Sequence, residues 1–121
     1  MIMIGNGNIK RGEIFLVNFN PVIGSEQGKI RPAIILQNDM GNEFGPTTII
    51  APLTSKEFSK EFSTNVFLPK RDSKLEKDST ILLNQIRVID KSRILKKLSN
   101  KIDNEIMKKV DLAIKSSLGL D

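Results

Sequence analysis

Proline placement constrains this chain more than any other feature. Each of its five prolines lies at or near the limit of a short run of β-branched or aromatic residues: Pro21, Pro32, Pro46, Pro52 and Pro69. Proline fixes φ and lacks a backbone N–H, so within a sheet it is confined to strand starts, edges and bulges. The runs it punctuates read as strands over Glu13 to Phe19, Ala33 to Leu36, Thr47 to Leu53 and Thr64 to Leu68. Short strands with proline at their limits point to a small barrel. Thr80 to Ile89 resumes the strand pattern, with Ile81, Leu83 and Gln85 on one side and Leu82, Asn84 and Ile86 on the other.

Helical signals come late. Asp90 is placed to cap a short helix over Ser92 to Lys97, with Lys96 and Lys97 against the negative end of its dipole. From Asp103 onward Ile106, Val110, Ala113, Ile114 and Leu118 recur at helical spacing, and Gly119 stands where a C-terminal cap belongs. Val22 to Gly28, Asn38 to Pro46 and Lys70 to Lys77 read as loops, the last a charged connection. Thr54 to Ser63 is polar apart from Phe58 and Phe62, an i, i+4 pair that suits either one helical turn or a cap on the barrel. Met1 to Asn8 is an irregular lead-in to a single domain over residues 9–121. Strands followed by helices place that domain in the α+β class, mainly β.

What the chain lacks narrows its chemistry. It has no His, Cys, Trp or Tyr. A thiolate nucleophile, a Ser-His-Asp relay, an imidazole acid or base and a zinc site of the usual ligands are all excluded. No metal or other cofactor is expected. The absence of cysteine agrees with a reducing cytoplasm, and the opening residues are too short and too rich in Gly and Asn for a secretory h-region. No run approaches the roughly 18 apolar residues of a membrane span. The formal charge of +5 favours a polyanionic partner, although a C-terminal segment sprinkled with lysine is as a rule a solvated surface.

An active site here must be built from Arg, Lys, Ser, Thr, carboxylates, amides and backbone groups. Such a set suits phosphoryl chemistry, because guanidinium and hydroxyl groups stabilise charge on phosphate oxygens. With RNA the nucleophile is already in the substrate. Cleavage through the 2′-OH requires only its deprotonation, stabilisation of the dianionic intermediate and protonation of the departing 5′ oxygen.

Six successive segments carry a family resemblance: Lys10 to Ile14, Asn20 to Gly28, Arg31 to Asn38, Pro46 to Ile50, Pro52 to Ser55 and Leu82 to Arg87. In this order, over nearly the whole chain, they resemble the motifs of MazF/PemK-type toxins, close to the MazF/EndoA branch. The resemblance implies an SH3-like barrel with a C-terminal helix and a homodimer. It also implies a MazE-like antitoxin and metal-independent, sequence-specific cleavage of single-stranded mRNA. The products would be a 2′,3′-cyclic phosphate and a 5′-OH. The family's reaction centre matches Arg31 and Thr54.

Taken alone, Arg31 is a surface cation covering apolar neighbours and Thr54 an ordinary strand-end threonine. The resemblance makes Arg31 a stabiliser of phosphate charge, since a guanidinium is a poor proton acceptor at neutral pH, and Thr54 a hydrogen-bond donor to the scissile phosphate. Ile23, Ser25, Glu26 and Gln27 match the substrate-gating loop, with Glu26 a solvated carboxylate or an aid to 2′-OH deprotonation. Asn84 and Gln85 carry amides able to read base edges or to serve the fold equally well. Near relatives often place Glu at position 84, so the base preference there is open; the site the resemblance suggests contains ACA, as in UACAU. Phe44 and Phe58 are the aromatic residues least explained by a core. Two readings compete with the nuclease: a CcdB-like toxin that binds gyrase, and a non-catalytic RNA-binding module.

Overall fold

The computed structural model describes residues 9–21, 23–26, 28–56 and 62–120. The lead-in over residues 1–8, Gln27 and Phe58 lie outside them. Seven strands are assigned: β1 Ile14–Asn18, β2 Ile30–Ile35, β3 Thr47–Thr54, β4 Asn65–Leu68, β5 Ser79–Leu82, β6 Arg87–Asp90 and β7 Ile94–Ser99. Three helices join them: α1 Asp39–Phe44, α2 Lys70–Ser73 and α3 Asn104–Leu118. The strands run in the order β4-β5-β3-β2-β1-β7, every pair antiparallel, and β6 also pairs with β3. Among the described residues the two ends of this sequence do not pair, so the expected small barrel is an open sheet.

Strand β3 organises the fold. One edge pairs with β2; the other pairs first with β6, over Thr47 to Ile50, and then with β5 at Leu53 and Thr54. Leu36 N–H donates to the Ile49 carbonyl at 2.8 Å, so odd-numbered residues of β3 direct their backbone groups to β2 and even-numbered ones to the forked edge. Pro52 therefore aims its missing N–H at the gap between the β6 and β5 ladders. Pro32 is likewise tolerated inside β2, because its N-side faces β3 just beyond the last paired position, Ala33 opposite Pro52.

Both faces of the central strands are buried. Ile14, Ile34, Ala51, Leu53 and Ile81 pack with Ile106, Met107, Val110 and Ala113 of α3. The alternate residues Phe15, Val17, Ala33, Ile35 and Ile50 pack against Ile89 and Ile94 of β6 and β7, with no helix between them. Only a sheet that curls over itself brings these together, and each fully buried aliphatic side chain contributes roughly 1.5–3 kcal/mol. Asp103 caps α3 through the Glu105 N–H, and Gly119 at φ 72° ends it in the left-handed turn that only glycine adopts cheaply.

Besides the barrel, several sequence expectations are corrected, among them the loop over Lys70 to Lys77, which contains α2. The predicted strand over Thr80 to Ile89 is two strands, β5 and β6, separated by a 3-10 turn at Leu83–Gln85 that moves the chain from one half of β3 to the other. The predicted helix over Ser92 to Lys97 is a 3-10 turn, Lys91–Arg93, capped by Asp90, followed by β7. Pairing with the open edge of β1 outweighs the helix signals there. The predicted loop over Asn38 to Pro46 contains α1, whose Asn38 cap accepts from Gly41 N–H at 2.8 Å. Buried Asn42 anchors α1, accepting from Thr48 Oγ1 at 2.7 Å and receiving the buried Lys91 ammonium on its carbonyl. Finally, Phe67 on β4 is exposed, as are Phe44 and Phe62, whereas Phe15 and Phe19 belong to the core. No helix among the described residues is long and apolar enough to cross a membrane.

Candidate active site

The β2–β3 ladder ends at Ala33 and Pro52. Two positions further along, past Pro32 and Leu53, the same antiparallel register brings Arg31 level with Thr54, where the two strands part company. Both are half-buried, and both line a cleft of about 660 Å³ with Pro32, Leu53, Ser55, Lys56, Lys74, Leu75, Glu76, Lys77, Ser79 and Leu98. The charged lining is Arg31, Lys56, Lys74 and Lys77 against Glu76 alone. Apolar Pro32, Leu53, Leu75 and Leu98 share this lining, and a lower local dielectric strengthens the attraction of its cations for an anion relative to open water.

Local bonding orients the two predicted reaction-centre residues. Arg31 Nε donates to the Gly28 carbonyl at 2.9 Å, which fixes the plane of the guanidinium at the foot of the loop. Thr54 Oγ1 accepts from Lys56 N–H at 3.1 Å, which leaves the hydroxyl its own hydrogen to donate, and that hydrogen can rotate toward an acceptor in the cleft.

A smaller recess of about 280 Å³ reaches β3 at Pro52, next in sequence to Leu53 of the cleft, and is lined by Phe19, Glu26, Pro52, Asn84, Gln85, Ile86 and Arg87. Glu26 meets Asn84 and Gln85, far from it in sequence, here. Asn84 is exposed and Gln85 half-buried, both on the 3-10 turn and not on a strand. The turn presents both amides at one edge, which a continuous strand would have pointed to opposite faces. Glu26 is brought to this recess and not to the Arg31 cleft; its Oε1 accepts from Ile23 N–H at 2.6 Å and closes the loop on itself. Ile23 and Ser25 are exposed on that loop, which turns at Gly24 with φ 58°. Gln27 lies outside the described residues.

Arginines hold the base of the loop. Arg93 Nη1 donates to the Asn18 carbonyl at 3.1 Å and also to that of Asn20. Arg87 donates to the Phe19 carbonyl at 3.3 Å, its guanidinium carbon 5.6 Å from the centre of the Phe19 ring. Neither these contacts nor the cleft-lining Lys56, Lys74 and Lys77 carry a signal in the sequence. The lysines lie in charged connecting segments whose local pattern is that of a solvated surface. Among the described residues no group of three or more carboxylates is gathered to hold a metal ion.

Comparison with known proteins bears on this arrangement. Residues 10–118 match the family described as PemK-like, MazF-like toxin of type II toxin-antitoxin system. The chain is 44% identical over 112 residues to Endoribonuclease EndoA of Bacillus subtilis (strain 168), covering 93% of this chain and 96% of that protein. It superposes on the crystal structure of MazF from Deinococcus radiodurans with a TM-score of 0.78 at 27% identity, covering 93% of this chain and 97% of that one. A MazE-MazF crystal structure (Form-II) from the same organism gives a TM-score of 0.71 at 26% identity, with the same coverage of each chain.

Proposed function

Since the chain belongs to the PemK-like, MazF-like toxins of type II toxin-antitoxin systems, we propose that it is an endoribonuclease that cuts single-stranded mRNA at a short sequence without a metal ion. The observation that carries this reading is the meeting of Arg31 and Thr54 in one cation-rimmed cleft at the end of the β2–β3 ladder.

The scissile phosphate lies between these two residues. The 2′ oxygen attacks phosphorus as its proton leaves, the P–O5′ bond breaks, and the 5′ oxygen takes up a proton. The products are a 2′,3′-cyclic phosphate and a 5′-OH. Arg31 stabilises the charge that accumulates on the non-bridging oxygens, and Thr54 donates a hydrogen bond to one of them. The neighbouring recess reads the bases: Asn84 and Gln85 offer amide donors and acceptors to splayed base edges, and Glu26 brings its loop to the same recess. The site is ACA-containing, with UACAU the first sequence to test.

The active species is a homodimer, and a MazE-like antitoxin inhibits it by laying an acidic segment along the RNA surface of a chain whose net charge is +5. MazF of Deinococcus radiodurans has been crystallised with MazE.

End-mapping of a long single-stranded RNA treated with the purified protein in EDTA, beside Arg31→Ala, tests the nuclease. Cuts at a repeated short sequence, with cyclic phosphate ends and none from the variant, are expected. Intact RNA, or cuts that survive the substitution, would overturn it in favour of a gyrase-binding or silent RNA-binding protein.

A further inference from the structure

Among the described residues two that are not glycine hold a positive φ, Lys29 at 66° and Lys74 at 65°. An L-residue in this region brings its Cβ against its own backbone, and glycine or asparagine takes such positions at lower cost. Lys74 is the C-cap of α2, a role that needs only a backbone N–H, here donated to the Lys70 carbonyl at 2.8 Å. A charged side chain at that position is therefore unexplained by the turn itself. It lines the cleft that holds Arg31 and Thr54.

The segment that carries Lys74 is firmly held. Asp78 Oδ1 accepts from Lys70 N–H at 2.9 Å and clasps the two ends of the arc, and buried Ser73 Oγ accepts from Leu75 N–H at 3.0 Å just where the chain reverses. Lys77 follows on the same rim. Among the described residues neither ammonium group has an ion-pair partner. An unneutralised cation presented from a held backbone meets an anion at the ordering cost of its own side chain alone.

We propose that Lys74, supported by Lys77, binds a backbone phosphate of the RNA next to the scissile one and so holds the strand in register over Arg31 and Thr54. This rests on the nuclease reading and adds to it a substrate contact outside the reaction centre. A phosphate is favoured over an acidic peptide because the lysines share one cleft with the residues that meet the scissile group, and adjacent phosphates of one strand arrive there together.

Lys74→Gly separates binding from structure because the two roles move opposite ways. Glycine relieves the left-handed backbone, so the melting temperature should hold or rise. Binding of a 2′-deoxy-substituted, uncleavable single-stranded RNA should weaken. The slope of log affinity against log salt should fall by about 0.7, so that wild type loses about 2.6-fold more affinity than the variant between 50 and 200 mM salt. Lys74→Asn, also at ease at positive φ, should behave like Lys74→Gly, and Lys74→Arg should restore the slope. An unchanged slope in a protein that still cleaves RNA overturns the proposal, as does a lowered melting temperature that accounts for the loss. Weaker binding of a polyglutamate peptide with an unchanged RNA slope would assign the rim to an acidic peptide instead. Wild type that neither cleaves nor binds RNA would mean that the nuclease reading itself has failed.

Discussion

Replacing Thr54 by Val tests the reaction centre with the least disturbance to the fold. Valine keeps the shape and the β-branched preference of the strand, and the backbone pairing of Thr54 with Thr80 on β5 involves no side-chain atom. The side-chain bond lost is that from Lys56 N–H to Thr54 Oγ1, at 3.1 Å and exposed, so water replaces it. The stability change should stay below about 1 kcal/mol, a shift of a few degrees in melting temperature. The chemistry loses a hydroxyl donor to a charged phosphate, about 1.5–3 kcal/mol, or roughly 12- to 150-fold in rate. Single-turnover cleavage of a short RNA, with a thermal melt on the same samples, reads both numbers. Thr54→Ser should recover most of the rate. Full activity in a folded Thr54→Val protein would refute the role of the hydroxyl, and parallel loss of rate and melting temperature would make Thr54 a structural residue.

Further outcomes follow from the same geometry. Arg31→Lys retains a charge but cannot both bond the Gly28 carbonyl and present a planar fork, so cleavage should fall on the order of 100-fold; single-turnover rates check this. Gln85→Ala should relax preference at one base of the recognition site by about 1–3 kcal/mol, read by sequencing cleavage products, with the position of the cut unchanged. Val110→Ala removes two methyl groups from the fully buried face of α3 and should cost roughly 2–3 kcal/mol in urea unfolding without altering the site preference. The Arg11 N–H bonded to Asp39 at 2.7 Å holds this carboxyl below the usual aspartate range. A depressed folded-state pKa gives stability that is present above the unfolded value and lost as pH falls through the folded one. Wild type should therefore exceed Asp39→Asn near pH 7, and the gap should close in acid below about pH 4, measured by denaturation across that range.

Elements whose signals are local can be read directly from the amino-acid sequence. Strands β1 to β3 announce themselves through β-branched runs, and α3 through its period, the Asp103 cap and Gly119. Arg31 and Thr54 are legible because they lie within successive motifs. Residues 92–97 were not, since the Asp90 cap and terminal lysines favour a helix locally, whereas the unpaired edge of β1 that claims them lies far back in the chain. The same holds for the break at Leu83–Gln85, imposed by the division of β3 between two partners, which turned Asn84 and Gln85 toward the recess beside Glu26. The lysine rim depends on tertiary structure altogether. Lys74 and Lys77 have no local pattern that separates them from a solvated loop, and only the pairing of β3 with β5 carries their arc across to Arg31. Capping and periodicity act within a few residues of the chain; strand partners and shared clefts are chosen by burial between segments distant in sequence, and a single segment carries no record of that choice.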